Sequence, residues 1–406
     1  MIYPSSIAKT LLAIQSFSYL LTNSFAANTC AVDLSARSSC GTDGGIQLNS
    51  EACLAKGCCW MQTYQTVSST NCYQAAPAAT SGYQLSNYLE TATGFTALLT
   101  LQGSNNVYGA DIKNLKLDVV YHTGDVVQVK ITDAKNQRWE VPESILPRHQ
   151  PDYNREDSLF TVKFSENPFT LQIIRKSDLE VVFNLDSLII YQDQYIEFSV
   201  LSDNTKRNTF GFGESTRTNH ALTLNHIYTL WAADIGAMTM NQNLYGSYPM
   251  YLQQITDASH ANVGAAHGGL LLNSNGMDVT LLPDRINYKV LGGVIDYYVF
   301  VGSSPKQVVS QATTVFGKPA MVPYWSLGFH NCRWGYKNLD QVKEVVANYS
   351  AAKIPLDTQW VDIDHMEAYR DFTLSSKNFP ADEMKSFVNQ LHANGQSFVP
   401  IIDPGK

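Results

Sequence analysis

VPYWSLGFHNCRWGY, from Val322 to Tyr336, is the stretch that decides the fold of this chain. It starts apolar and runs into polar and aromatic residues, and two later segments do the same, WVDIDHMEAYRDFT (Trp360–Thr373) and PIIDP (Pro400–Pro404). Between the three segments, apolar residues repeat at helical spacing. Strands that alternate with helices of this length pair in parallel through right-handed crossovers. Residues 320–406 are therefore predicted to form the first three β/α units of a (β/α)8 barrel, with the chemistry at the carboxyl ends of its strands.

The same pattern predicts the individual elements of this barrel. The first predicted helix has one face formed by Leu339, Val342, Val345, Val346 and Tyr349. The second predicted helix runs from about Ala381 to Asn394-Gly395. The strands are WSLGF, the run from Thr358 to Asp364, and FVPII. Because Pro400 has no N–H to donate, pairing of the third strand is expected to start after it.

Asp362 and Asp364 lie two residues apart on the predicted second strand. Their side chains would share one face of the sheet, roughly 6.5 Å apart. Paired carboxylates at such a distance are typical of glycosidases. Charges so close on one strand disfavour joint ionisation, however, and the usual design takes its two acids from different strands. We therefore do not assign the two aspartates as a catalytic pair.

The middle of the chain has the period-two alternation of half-buried strands. The clearest runs are Leu115/Leu117/Val119/Tyr121, Val127/Val129/Ile131, Phe160/Val162/Phe164, Phe169/Leu171/Ile173 and Ile196/Phe198/Val200. So many strands separated by turns predict an antiparallel β-sandwich over residues 83–319. The segment GFGE, Gly211–Glu214, is interpreted as a turn between strands, because it has too few glycines for a phosphate loop and its acid would repel a phosphate.

The amino-terminal part of the chain has the features of a secreted protein. Residues 1–26 carry one charge, Lys9, two short apolar runs and Ser-Phe-Ala at the end, which predicts a signal peptide. A membrane anchor is the alternative, but no run approaches the roughly 20 apolar residues that a span needs. Residues 75–82 are small and uncharged and include Pro77, which indicates a linker.

Six of the 7 cysteines lie close together: Cys30, Cys40, Cys53, Cys58, Cys59 and Cys72. Such density in a short secreted segment indicates a disulfide framework, since a segment of this size cannot bury enough apolar surface to fold unaided. The spacing alone leaves the pairing open. The remaining cysteine, Cys332, is interpreted as a buried unpaired thiol rather than a nucleophile.

Composition and motifs narrow the class of ligand. With 36 acidic and 28 basic residues the formal net charge is −8, and no basic cluster stands out, which excludes nucleic acid as a partner. The 9 histidines lack metal-ligand spacing and no cofactor motif is present, so neither a metal nor a cofactor is predicted. Asn348 begins the sequon Asn-Tyr-Ser and is a predicted glycosylation site. Asp234 is a lone acid in an aromatic loop, where such residues are usually helix caps or solvated.

Two resemblances become specific at this point. The spacing C-x9-C-x12-C-x4-C-C-x12-C, with GCCW at Gly57–Trp60, resembles a trefoil (P-type) domain, here residues 28–74. This resemblance implies the bridges Cys30–Cys59, Cys40–Cys58 and Cys53–Cys72. The motifs GFGE, YTLWAAD, NLYG, LLNSNGMDV, GGVIDYYVF, WSLGFHNCRWGY, IPLDTQWVDIDHM, YRDFT and IIDPG resemble, in order and spacing, the α-glucosidases of glycoside hydrolase family 31.

The family resemblance implies an architecture and a set of roles. It implies a trefoil, a galactose-mutarotase-like sandwich and a catalytic barrel. Asp234 and Asp362 would bind sugar hydroxyls, Trp334 and Ile363 would shape the walls of the pocket, and Ile401 would form its floor. Asp364 would order the end of its strand. A desolvated carboxylate that accepts hydroxyl donors makes charge-assisted bonds worth roughly 1–3 kcal/mol.

The resemblance also implies a retaining, exo-acting α-glucosidase that acts on maltose, maltooligosaccharides, starch or glycogen. In the family, two aspartates from later in the barrel cleave the bond. No catalytic residue is therefore assigned, and the 406 residues as given are expected not to hydrolyse glycosides and to leave an open sheet edge. A related α-xylosidase, a glucan lyase and a non-catalytic secreted carbohydrate-binding protein are the alternatives. The expected location is extracellular, with the lysosome and the cell surface as alternatives.

Overall fold

The structure is a computed structural model that describes residues 39–40, 42–43, 46–47, 49–60, 71–74, 82–148, 153, 155–233, 235 and 239–403. The predicted signal peptide, the predicted linker except Gly82, Cys30 and Asp234 lie outside these residues. The chain divides into two compact units, Met1–Gly317 and Lys318–Lys406. Every helix in the described part is too short or too polar to span a bilayer.

The trefoil region consists of very short elements. Its elements are β1 (Thr42–Asp43), β2 (Ile46–Gln47), α1 (Ser50–Ala55), β3 (Cys59–Trp60) and β4 (Cys72–Tyr73). The side chain of Asn49 caps α1 by accepting a hydrogen bond of 2.8 Å from the Ala52 N–H. The disulfides Cys40–Cys58 and Cys53–Cys72 are present, which confirms two of the implied bridges. Such short elements cannot supply a core of their own, so the disulfides stabilise this region.

Two antiparallel sheets follow and fill the rest of the first unit. Their strands are β5 (Tyr83–Thr91), β6 (Gly94–Leu101), β7 (Asn114–Tyr121), β8 (Val126–Asp133), β9 (Phe160–Glu166), β10 (Phe169–Arg175), β11 (Val181–Tyr191), β12 (Ile196–Leu201), β13 (Arg207–Ser215), β14 (His226–Leu230), β15 (Asn243–Ile255), β16 (Ala266–Leu271), β17 (Met277–Leu281), β18 (Arg285–Val290) and β19 (Ile295–Phe300). One sheet has the order β14-β17-β18-β12-β11-β10-β9 and the other β13-β15-β16-β19-β8-β7-β6-β5. Alternate residues of both sheets form one core, which confirms the predicted sandwich.

The strand β12 was predicted to be half-buried, but the residues on both of its faces are buried. Glu197 and Ser199, expected on the solvent side, are buried. Glu197 accepts hydrogen bonds from the Tyr195 hydroxyl (2.6 Å) and the Asn287 amide (3.2 Å), so its burial is compensated.

The GFGE segment is not a turn, which corrects the prediction. It lies inside β13 and pairs with β15, but the register shifts between Gly211 and Gly213 and again before Ser215. Phe212 is buried there with a φ of 51°. Glycines in this segment therefore permit an irregular, bulged strand rather than a chain reversal.

A single long helix, α2 (Pro305–Phe316), ends the first unit. Ser304 caps it by accepting a hydrogen bond from the Gln307 N–H, and Pro305 occupies its first turn. Val308, Ala312 and Val315 pack on the outer face of the eight-stranded sheet, against residues of β8, β16 and β19.

The second unit is a parallel three-stranded sheet with two helices. Its elements are β20 (His330–Asn331), α3 (Leu339–Ala351), β21 (Thr358–Val361), α4 (Ala381–Ala393) and β22 (Ser397–Pro400). The order is β20-β21-β22, and both pairings are parallel. Both predicted helices and the parallel β/α arrangement are confirmed. The core is formed by Tyr336, Leu339, Val342, Val361, Phe379, Met384, Phe387 and Leu391.

The predicted strand bounds in this unit were wrong in three places. The WSLGF segment mostly forms a 3-10 helix, Tyr324–Leu327, and the first strand is only His330–Asn331. The second strand stops at Val361, so Asp362 and Asp364 do not share a strand face. Pro400 ends the third strand rather than preceding it, and the ladder continues with the Ile401 N–H donating to the Val361 carbonyl at 3.1 Å. A proline at the last position removes no interior donor from the strand.

Candidate functional site

Three predicted site residues follow the carboxyl ends of the parallel strands. Val361 pairs with Pro400, so Asp362 and Ile401 continue the chain side by side from β21 and β22. Trp334 lies three residues beyond β20 and is 71% exposed. Because parallel strands end at the same edge of a sheet, the structure brings Trp334, Asp362 and Ile401 to one edge.

Asp362 is held in one orientation by its own turn. It caps the 3-10 helix Ile363–His365, and its Oδ1 accepts a hydrogen bond of 2.8 Å from the Ile363 N–H. Its carbonyl lies 2.7 Å from the His365 Nδ1, which must carry a proton because a carbonyl only accepts. Within the described residues Oδ2 has no hydrogen-bond partner. One carboxylate oxygen of Asp362 is thus used by the fold, and the other is available for a further hydrogen bond.

Asp364 acts on the neighbouring loop. Its Oδ2 accepts a hydrogen bond of 2.7 Å from the N–H of Gly335. Gly335 has a φ of 107°, a conformation that glycine adopts without strain. The bond ties the turn after β21 to the loop after β20, directly beside Trp334. Asp364 therefore fixes the loop next to Trp334 through one carboxylate oxygen.

The two isoleucines differ in exposure. Ile363 is only 7% exposed and lies beneath the turn that Asp362 caps, whereas Ile401 is half-buried at the end of β22. The predicted glycosylation residue Asn348 lies on α3 and is exposed. Contact of Ile363 and Ile401 with a sugar remains a prediction, as does glycosylation of Asn348.

Cys332 is exposed and free, which corrects the prediction of a buried thiol. Because β20 ends at Asn331, this cysteine falls in the following loop instead of the sheet interior. Partial burial raises the pKa of its thiol, and the carboxylates of Asp362 and Asp364 raise that pKa further. A raised pKa leaves little thiolate, so Cys332 is a poor nucleophile.

Sequence reasoning missed an aromatic cluster just below the site. The Trp360 indole N–H donates to His330 Nδ1 at 2.8 Å, and Trp325 stacks on His330 with ring centroids 6.0 Å apart. His330 therefore carries its proton on Nε2 when it is neutral. The sequence did contain one indication of this cluster, since His330 and Trp360 lie on adjacent strands close to the residues of the site. Their hydrogen bond ties β20 to β21 at that level.

Asp234 lies outside the described residues, but the base of its loop is described. The Asn243 side-chain amide donates to the Trp231 carbonyl at 3.1 Å, and the Ala233 N–H donates to the Leu244 carbonyl at 3.3 Å. These bonds hold the two ends of the loop together where β14 ends and β15 begins. A cavity of about 310 Å³ lies there, lined by residues that include Trp231, Ser247 and Asn275.

One group of described side chains has the spacing of a metal site. The sulfurs of Cys53, Cys58 and Cys72 lie within 4.8 Å of one another. All three form disulfides, so none is a thiolate that could bind a metal ion.

Comparison with known protein families gives two matches. Residues 319–406 match the Glycosyl hydrolases family 31 TIM-barrel domain, and residues 30–75 match the Trefoil (P-type) domain. Both agree with the resemblances noted in the sequence. The two disulfides described above lie within the second match.

Individual relatives extend the likeness over the sandwich. Alpha-xylosidase 1 of Arabidopsis thaliana is 43% identical over 345 residues, which cover 80% of this chain and 37% of that protein. An alpha-glucosidase of Hordeum vulgare is 39% identical over 313 residues, covering 73% of this chain and 35% of the relative. A crystal structure of a glucosidase II alpha subunit aligns with a TM-score of 0.67 at 17% identity, over 80% of this chain and 43% of the other, which supports the fold. The chain thus spans little more than a third of the length of these curated relatives.

Proposed function

We propose that the chain is part of a retaining, exo-acting α-glucosidase, because residues 319–406 match the TIM-barrel domain of glycosyl hydrolase family 31. Such an enzyme releases glucose from the non-reducing ends of maltose, maltooligosaccharides, starch or glycogen. The observation that carries the proposal is the free Oδ2 of Asp362 at the strand edge that it shares with Trp334. The disulfides of the trefoil indicate an oxidising, extracellular or lumenal compartment. We propose secretion through residues 1–26.

The proposed site binds the terminal glucose through charge and shape. Asp362 accepts a sugar hydroxyl on Oδ2 while Oδ1 remains bonded to the Ile363 N–H. Charge-assisted bonds of this kind are about twice as strong as neutral ones. The exposed indole of Trp334 offers an apolar wall to the ring, Ile363 supports the other wall, and Ile401 lies at the floor. Binding of a sugar hydroxyl by Asp234, which lies outside the described residues, stays a prediction.

Bond cleavage requires a different pair of acids. A retaining glycosidase needs two carboxyl groups about 5–5.5 Å apart on either side of the scissile bond. Asp362 and Asp364 lie two residues apart in one turn and each accepts a backbone N–H, so we assign them to binding and positioning rather than to opposite sides of the scissile bond. We therefore propose that the 406 residues bind sugar without hydrolysing it.

An α-xylosidase is the second candidate. It is favoured by the 43% identity to the protein named Alpha-xylosidase 1 of Arabidopsis thaliana. Xylose lacks the hydroxymethyl group of glucose, so the two functions differ in whether the pocket has room for that group. Titration with both sugars separates the candidates: preference for glucose supports the α-glucosidase, and preference for xylose supports the α-xylosidase.

The test of the proposed function is sugar binding by the full 406-residue chain with and without the Asp362 charge. In Asp362→Asn the amide oxygen can still accept the Ile363 N–H, but the group facing the ligand becomes a donor. We expect glucose affinity to fall at least tenfold, about 1.4 kcal/mol, in calorimetric titration. Maltose incubated with either protein is expected to release no glucose.

The matched control is Asp340→Asn, because the Asp340 carboxylate is 87% exposed at the start of α3 in the same unit. Its glucose affinity should equal that of the wild type. Equal affinity in Asp362→Asn and wild type would refute the role of Asp362. Glucose release by the wild-type chain would refute the absence of hydrolysis.

A further inference from the structure

The strand β14 lies at the edge of the seven-stranded sheet, where β17 is its one partner among the described strands. An edge strand exposes unpaired backbone groups and is the part of a sheet most easily lost. The short trefoil helix α1 lies against β14. The trefoil therefore contacts the strand that leads into the loop carrying Asp234.

One side chain of α1 is buried without belonging to the trefoil core. The described core of the trefoil consists of Cys53, Cys58 and Cys72 with their packed neighbours. Leu54 is outside this cluster yet only 7% exposed. Leu54 is the largest apolar side chain of the helix that lies against β14.

A series of side-chain contacts connects β14 to β13, the edge strand of the eight-stranded sheet. The buried Tyr228 receives a hydrogen bond of 2.7 Å from the Thr223 N–H, and the guanidinium of Arg217 lies 4.4 Å from the centre of its ring. Arg217 also donates to the carbonyls of Gly211 and Phe212, both at 2.9 Å. The bulged segment of β13 is thus fastened to the middle of β14.

The same segment fastens the other end of the loop. Glu214, which follows the bulge, accepts a hydrogen bond of 3.0 Å from the Gly246 N–H near the start of β15. The loop after β14 runs from Trp231 to Gln242 and returns at Asn243. One end of the loop thus continues from β14, and the other is bonded to β13, which Arg217 connects to β14.

We propose that the trefoil domain acts as a brace for this loop, that is, it limits the motion of both loop ends. Leu54 anchors α1 on β14, and the contacts of Tyr228, Arg217 and Glu214 connect β14 to the two ends of the loop. The disulfides Cys40–Cys58 and Cys53–Cys72 stiffen the brace. Its consequence for sugar binding rests on the proposed function, through Asp234. The bracing of β14 and β15 itself does not.

The test is hydrogen–deuterium exchange of the full chain, read at the backbone amides of Ile227–Leu230 and Asn243–Gly246. In Leu54→Ala we expect at least fivefold faster exchange at these amides. Leu54→Met keeps an apolar anchor and should exchange like the wild type. Leu89→Ala is the control, since Leu89 is an exposed leucine of the same sandwich.

A second variant covers the case in which Leu54→Ala unfolds the trefoil. Cys53→Ser combined with Cys72→Ser removes a disulfide on purpose, and disulfide mapping reports the state of the trefoil. Faster exchange in either variant supports the brace, and unchanged exchange at β14 and β15 in both overturns it. Glucose titration of the same variants is read separately: faster exchange with unaltered affinity keeps the brace and removes the role of the loop in sugar binding.

Discussion

Asp362 and Asp364 have different partners although they are two residues apart and chemically identical. Asp362 uses one carboxylate oxygen to cap its own turn, whereas Asp364 uses one to accept the Gly335 N–H of the neighbouring loop. The difference follows from where β21 ends. Once the strand stops at Val361, the chain turns and the two carboxylates face different neighbours.

At the same scale, Asp364→Ala should weaken the second unit, because it leaves the Gly335 N–H without its charged acceptor. Asp364 is half-buried, so we expect a loss of about 1 kcal/mol in the free energy of unfolding, below the full value of a charge-assisted bond. Asp364→Asn retains an acceptor oxygen and should restore most of the loss. Urea denaturation measures both variants, and equal stability of Asp364→Ala and wild type would contradict the positioning role.

At the scale of elements, the helices of the second unit follow directly from local sequence, whereas the strands do not. α3 has a side-chain cap at Asn338 and an apolar face, and both signals are local. The strand β20 is two residues long, and its bounds depend on pairing with β21. A helix makes its hydrogen bonds within itself, while a strand makes them with a partner that may be distant in sequence.

Packing of α3 provides a prediction at this scale. Val342 is fully buried in the core that β21 shares with the two helices, so Val342→Ala leaves a cavity. We expect a loss of about 2 kcal/mol in the free energy of unfolding, between the typical costs of removing one methylene and of a leucine truncation. Val309→Ala on α2, where the valine is exposed, should change stability by less than about 0.5 kcal/mol. Similar losses in both variants would show that Val342 is not a core residue.

At the scale of the whole molecule, the first unit holds a buried ionic network that connects the sheets. Arg175 binds Asp178 and donates to the carbonyls of Ala266 and Val301, at 3.0 and 2.8 Å. His267 lies close by and is 3% exposed. Burial first, and then the charges of Arg207 and Arg175, lower the pKa of His267 from 6.5 to about 3.

This histidine predicts how the molecule responds to acid. Because the pKa of His267 is lower in the folded than in the unfolded state, the unfolded state binds more protons between pH 6.5 and 3, and stability falls as pH falls through this range. Between pH 6 and 4 the contribution is about 2–3 kcal/mol. His267→Gln should flatten the pH dependence of the unfolding free energy by that amount, while His220→Gln, at an exposed position, should not. Parallel curves for His267→Gln and wild type would refute the assignment.

The sequence alone determined the sandwich, both barrel helices and the parallel arrangement of the second unit, and its resemblance to a trefoil domain implied the two disulfides that the structure describes. These features depend on cysteine spacing and on apolar periodicity, which are properties of short segments. Only the tertiary structure decided that GFGE is a bulged strand, that Cys332 is exposed, and that Asp362 and Asp364 do not share a strand face. Each of these depends on where a strand stops pairing, and pairing is made with residues far away in the chain.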